Sequence, residues 1–112
     1  MSILLELNTL LAPILPVETG FFSGVPPDEY IVLTPMTDIF PLFGDNIPLV
    51  DMSEVRISLF SKGNYLQRKN QITAALLGAD FTITDRRYVG YENDTKFHHA
   101  AIDVAKTYMT EV

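Results

Sequence analysis

The chain reads as an α+β protein, a mainly antiparallel sheet packed by two helices in the order α-β-β-β-α-β-β. Three observations predict this class. An apolar stripe at helical spacing opens the chain. A strand with strict alternation then runs through a tight turn into a capped helix between Met52 and Gly78. Two further extended arms around Glu92–Thr95 read as a closing hairpin. Helices set among strands in that order lie segregated on one sheet instead of alternating with parallel strands. Nothing marks a second domain, so residues 1–112 form one unit of ordinary domain size. A chain of this length buries roughly two-thirds of its unfolded surface, enough for an unaided core.

From Ser2 to Ile14, Leu4, Leu7, Leu11 and Ile14 recur at helical spacing, widened by Leu5 and Leu10. Ser2 is placed to cap this helix, and Pro13 ends or kinks it because its ring meets the carbonyl four residues back. Val17 to Gly24 is a short extended piece, followed by a rigid loop through Pro26 and Pro27. Glu29–Thr34 is a strand rich in β-branched and aromatic residues. Its apolar residues do not alternate cleanly, which predicts a central position or cover on both faces.

Thr37 to Asp51 is very apolar yet interrupted by Pro41, Gly44-Asp45-Asn46 and Pro48. It reads as a loose hairpin or protruding arm turning at 44–46, with prolines of the kind tolerated on sheet edges. An isolated two-stranded arm is barely stable in water, so its apolar residues either tuck onto the body or meet another chain.

Met52–Ser61 alternates, with Val55, Ile57 and Leu59 on one face and Glu54, Arg56 and Ser58 on the other. Asn64 caps the next helix with Gln67 three residues on, and Gly78 offers the left-handed position that stops it. In the closing hairpin, Asp80–Tyr91 and Lys96–Tyr108, alternation puts Phe81, Ile83 and Asp85 on one face and Thr82, Thr84 and Arg86 on the other. In the second arm, Ala100, Ile102 and Val104 alternate with His99, Ala101 and Asp103.

Composition narrows the function. The absence of cysteine excludes disulfides, thiolate metal sites and cysteine nucleophiles, and fits manufacture in a reducing cytosol. The N-terminus has no basic region, and Glu6 interrupts its apolar run, so neither a signal peptide nor a membrane span is expected. A net charge of −6 argues against direct readout of DNA. The pairs Arg68-Lys69 and Arg86-Arg87 read as solvated faces or interfacial ion pairs.

No constellation of catalytic residues stands out, and no cofactor or enzymatic activity is expected. His98 and His99, adjacent in a strand, point to opposite faces and cannot share one ion. A metal site would need Asp85 or Asp103 to converge with one of them. Gly44-Asp45-Asn46 with Asp51 is too sparse for a calcium loop. Lys62-Gly63-Asn64 has too little glycine to cradle a phosphate, and no serine-nucleophile motif occurs.

Three stretches carry a family resemblance: Val17-Glu-Thr-Gly20 with Glu29–Thr34, the strand-turn-helix Glu54–Ile72, and Ala79–Tyr88 with His98–Ala105. Behind an amphipathic first helix, this layout resembles the small tail-completion or tail-terminator proteins of long-tailed, siphovirus-like bacteriophages and Gram-positive prophages. The likeness covers most of the chain and is one of layout and wording, without a catalytic signature.

The resemblance implies a structural virion protein made in the bacterial host cytoplasm and located at the tail–neck junction. Copies would form a ring, usually hexameric, that caps the tail tube, stops polymerisation of the major tail tube protein and joins the tail to head-completion or connector proteins. DNA would pass through the lumen without sequence-specific binding. Glu54, Asp80, Asp85, Glu92 and Asp94 are then lumen candidates, since an acidic lining repels the DNA backbone. Phe40, Phe43 and Ile47 in the arm, with Arg68, Lys69, Arg86 and Arg87, are candidates for subunit or tail contacts. The alternatives are another connector protein of the neck, or a small cytosolic α+β domain that binds a ligand or hydrolyses it in a cleft formed by His99, Asp85 and Asp103.

Overall fold

The computed structural model describes the backbone of residues 2–44 and 47–109, with side chains described across that range except at 38–49. Seven elements follow in the expected order: α1 (Ile3–Leu11), β1 (Val17–Thr19), β2 (Glu29–Gly44), β3 (Ile47–Ser61), α2 (Tyr65–Gly78), β4 (Thr82–Tyr91) and β5 (His98–Met109). The strands form one five-stranded sheet in the order β1-β2-β3-β5-β4. Among the described residues, only the β1–β2 pair is parallel. The fold is therefore α+β with a mixed, mainly antiparallel sheet.

Local chemistry fixes the helix ends. The Ser2 hydroxyl accepts hydrogen bonds from the Leu4 and Leu5 amides, satisfying two of the free donors at the start of α1. Pro13 follows two residues after its end. The Asn64 side chain accepts from the Gln67 amide at the start of α2.

Gly78 does not supply the left-handed position after α2. Asp80 does, with φ of 63°. The Phe81 amide donates to the Leu76 carbonyl and the Asp80 amide to that of Leu77. These two bonds, with Phe81 and Leu76 both in the core, make a Schellman closure. A left-handed conformation is costly for any side chain with branching at Cβ. Asp80→Val is therefore expected to lower the denaturation midpoint by about 1–2 kcal/mol equivalent, while Asp80→Gly leaves it level or slightly raised. Urea titration of both variants checks the sign.

Both helices lie on one face of the sheet. Three cross-strand rows meet them: Ile31–Leu59–Ala100, Leu33–Ile57–Ile102 and Pro35–Val55–Val104. Most of these side chains are fully buried against Leu7, Leu11, Ile72 and Leu76. Neither α1 nor α2 lies on the opposite face. It presents the rows Tyr30–Phe60–His99, Val32–Ser58–Ala101 and Thr34–Arg56–Asp103. The loop after β1 crosses this side, placing Phe22 against Tyr30 with ring centroids 4.8 Å apart.

Two irregularities reset the alternation read from sequence. A bulge between Ile83 and Asp85 sets Ile83 opposite Val104, on the helix face, but Asp85 opposite Asp103, on the open face. Arg86, opposite Ile102, consequently returns to the helix side. Phe81, Ile83 and Asp85 thus do not share a face, nor do Thr84 and Arg86 follow simple alternation.

The apolar stretch after Thr34 continues β2 and pairs with β3 as the expected hairpin, in a laddered and not a loose form. The Ile31 amide and the Leu33 carbonyl both bond toward the β1 side, to Pro16 and Gly20. Pro35, the next residue in that register, therefore turns its missing N–H to the open edge and costs the β2–β3 ladder nothing. The ribbon runs to the pair Gly44–Ile47. Pairing with β1 stops at Leu33 and, among the described residues, pairing with β5 starts at Val50. Beyond those points β2 and β3 have only each other. The longest dimension of the chain, 54 Å against 26 and 24 Å, is close to the ~53 Å that the 16 residues of β2 span at ~3.3 Å each.

Candidate assembly interface

The two-stranded ribbon is the feature most unlike a self-sufficient domain. Phe43 and Ile47 fall in it, and Phe40 stands at its base, opposite the 50–52 stretch of β3 that β5 still pairs. Phe43 pairs with Pro48 and Ile47 with Gly44, while Phe40 occupies the irregular stretch between Ile39 and Leu42. Their side chains lie outside the described residues. At the ribbon's base, where it leaves the sheet beside the start of α1, a groove of about 600 Å³ is lined by Ser2, Leu4, Met36, Asp51, Glu54 and Met109 among others.

The basic candidates divide by use. Arg68 is engaged within the chain, its Nε 3.1 Å from Glu29 Oε1 and its Nη1 donating to Gln71, so it ties α2 to β2. Arg87 lies 3.5 Å from Asp85, both about half exposed, a contact worth little in solvent. Arg86 reaches over α2 and donates to Thr73 Oγ1 at 3.3 Å. Among the described residues, neither Arg86 nor Lys69 has a carboxylate partner.

The acidic candidates do not form one row. Glu54 and Asp85 share the open sheet face, two strands apart with β5 between them. Asp80 stands at the start of β4 and Glu92 and Asp94 beyond its end, about 33 Å away at ~3.3 Å per residue. Glu92 is tied into the β4–β5 turn, its backbone bonded to Phe97 and Lys96. Asp80 thus lies at the other end of β4 from Glu92 and Asp94.

His98 and His99 do face opposite ways. His98 stacks on Tyr65 and its Nδ1 is 2.9 Å from the Tyr88 hydroxyl. His99 stacks on Phe60 at 4.3 Å on the open face, with Nε2 buried and unbonded. Burial pushes its pKa down, partly offset by Glu92. Asp103 is four residues along β5, about 13 Å away, and is gripped by Arg56 through two bonds of 2.9 and 3.1 Å. His99, Asp85 and Asp103 therefore do not converge on one cleft. No group of three or more metal-ligating side chains occurs among the described residues, and no helix there is long and apolar enough to cross a membrane.

A second ionic cluster has no counterpart in the sequence reading. Lys106 Nζ lies 2.7 Å from Glu6 Oε1, donates to the Ala79 carbonyl and sits over the Phe81 ring. The Tyr108 hydroxyl donates to Glu6 Oε2 at 2.6 Å. The alternation of Lys106 and Tyr108 on the helix face was its one legible sign; their partner is 100 residues away. No protein-family model matches the chain, and a search of curated proteins finds no match.

Proposed function

We propose that this chain is a structural component of a bacteriophage tail, a tail terminator whose copies form a ring on the head-proximal end of the tail tube. The observation that carries this reading is the β2–β3 ribbon: an apolar, proline-bearing two-stranded element that leaves the sheet. Such a ribbon is marginal in isolation and gains its stability from a neighbour. The likeness of the segments around Glu29–Thr34, Glu54–Ile72 and Ala79–Tyr88 to tail terminators supplies the identity of that assembly. In this role the chemistry is mechanical. One ring face copies the end of the tube, the other presents a different surface to head-completion proteins, and the net charge of −6 disfavours adhesion of passing DNA.

Light scattering over a concentration series, with negative-stain microscopy of the same sample and of mixtures with polymerising tail tube protein, tests the reading. Closed rings of about six copies, or tubes capped and halted, are expected. A chain that stays monomeric and leaves tube growth unchanged is not a terminator. Replacing residues 40–49 with a tight Asn-Gly turn should abolish ring formation and capping while leaving the far-ultraviolet spectrum that of a folded α+β domain. Unimpaired assembly of that variant would remove the ribbon from the mechanism.

A further inference from the structure

Small side chains floor part of the sheet face away from the helices. Val32 and Ser58 lie there between the aromatic row Tyr30–Phe60–His99 and the row Thr34–Arg56–Asp103. With the loop after β1, which crosses this face, they bound a cleft of about 370 Å³. The rings of Phe21, Phe22, Tyr30 and Phe60 line it, and no charged side chain among the described residues does. Thr34 and Ser58 bring hydroxyls to the lining, and among the described residues neither meets a hydrogen-bond partner. Ser58 is only 7% exposed. A buried hydroxyl of this kind ordinarily finds a partner, so the cleft has a polar group waiting for one.

The loop is pinned in place. The two oxygens of the Glu18 carboxylate accept from Ser23, one from its amide at 3.0 Å and one from its hydroxyl at 2.8 Å. The Gly20 amide donates to the Leu33 carbonyl at 2.8 Å. Gly20 and Gly24 have φ of 84° and 76°. A Cβ on either would meet nothing within 4 Å, so glycine serves the backbone conformation there and not a close approach. The pinned turn keeps Phe22 against Tyr30 and leaves Phe21 74% exposed beside the cleft. A wall fixed in advance spares a ligand the cost of ordering it.

We propose that this cleft binds a neutral pyranose sugar. A charged ligand would find no opposite charge in the lining. A plain aromatic ring would stack on the phenylalanines but leave the Ser58 hydroxyl buried without a partner, at a cost. A pyranose meets both demands. Its hydroxyls donate and accept, as those of Ser58 and Thr34 do, and its C–H groups lie against the negative faces of aromatic rings. The cleft volume equals that of about a dozen waters at ~30 Å³ each, room for one or two sugar rings. All of its residues lie at 20–34 and 58–60, outside the ribbon, so the site does not rest on the ring reading.

The test is a titration of the full chain with the methyl glycosides of glucose, galactose, mannose and N-acetylglucosamine, followed at the backbone amides by NMR. At least one glycoside is expected to give saturable shifts at Phe21, Phe22, Val32 and Ser58. Ser58→Ala and Phe21→Ala are each expected to weaken that affinity about fivefold or more. Phe21 is exposed, so its variant keeps the test open should Ser58→Ala fail to fold. Saturable shifts from none of the glycosides, shifts confined to other parts of the chain, or an affinity that neither variant changes would overturn the proposal. An oligoproline peptide that shifts these amides where no glycoside does would assign the cleft to a polypeptide and overturn it as well. Ring formation is read separately by light scattering, so the two readings fail independently.

Discussion

Ile57→Ala is expected to lower the unfolding free energy by about 2–5 kcal/mol, which for a domain holding ~5–15 kcal/mol in total brings it close to unfolding. Ile57 is fully buried at the centre of the row Leu33–Ile57–Ile102, in the core cluster where both helices meet β3. Truncation there removes apolar burial and leaves a cavity that strands held on both sides cannot collapse to fill. The control is Thr34→Ala, on β2 but exposed on the helix-free face, where a change within ~0.5 kcal/mol is expected. Urea denaturation with equal slopes for the two variants would assign the difference to the folded state. A cost below ~1 kcal/mol at Ile57 would mean that the helices do not close the core.

How far that core could be read from sequence depends on the range of the interactions. Ser2 and Asn64 were legible as caps because capping uses residues two or three apart. The opposed faces of His98 and His99 were legible because strand geometry has period two. Gly78 misled, since the closure of α2 depends on Phe81 reaching back to Leu76, and that places the left-handed residue at Asp80. Alternation failed at Asp85 and Arg86, where the bulge against β5 inserts a residue that local pattern does not reveal. Pro41 and Pro48 in the 37–51 stretch looked like breaks, yet β2 and β3 run on through them. Charged residues were legible as types and not as partners. That Arg68 is used by Glu29 and Arg56 by Asp103 follows from strand order, a non-local property.

The Glu6–Lys106–Tyr108 cluster should set both pH limits of stability. Hydrogen bonds from Lys106 and then Tyr108 hold the Glu6 carboxyl below its ordinary value of 4.5, against the opposing effect of burial. A carboxylate with a depressed folded pKa contributes stability that is present above 4.5 and is lost as pH falls through the folded value. Burial, then the bond to Glu6, raises the Tyr108 phenol well above its ordinary 10.0. Its contribution is full below 10.0 and disappears as pH rises beyond it, with Tyr30, raised mainly by burial, adding to the same limb. Glu6→Gln should therefore flatten the acid limb below pH 4.5, and Tyr108→Phe should weaken the alkaline limb. Lys106→Met removes the cation that joins α1, the α2–β4 turn and β5. Loss of one partner from a fully buried pair costs ~3–5 kcal/mol; these side chains are 20% and 26% exposed, so screening brings the expectation to about 2 kcal/mol at neutral pH. Thermal midpoints of the three variants between pH 3 and 11 measure all of this. An acid limb in Glu6→Gln as steep as in the wild-type chain would show that the Glu6 carboxylate does not set it.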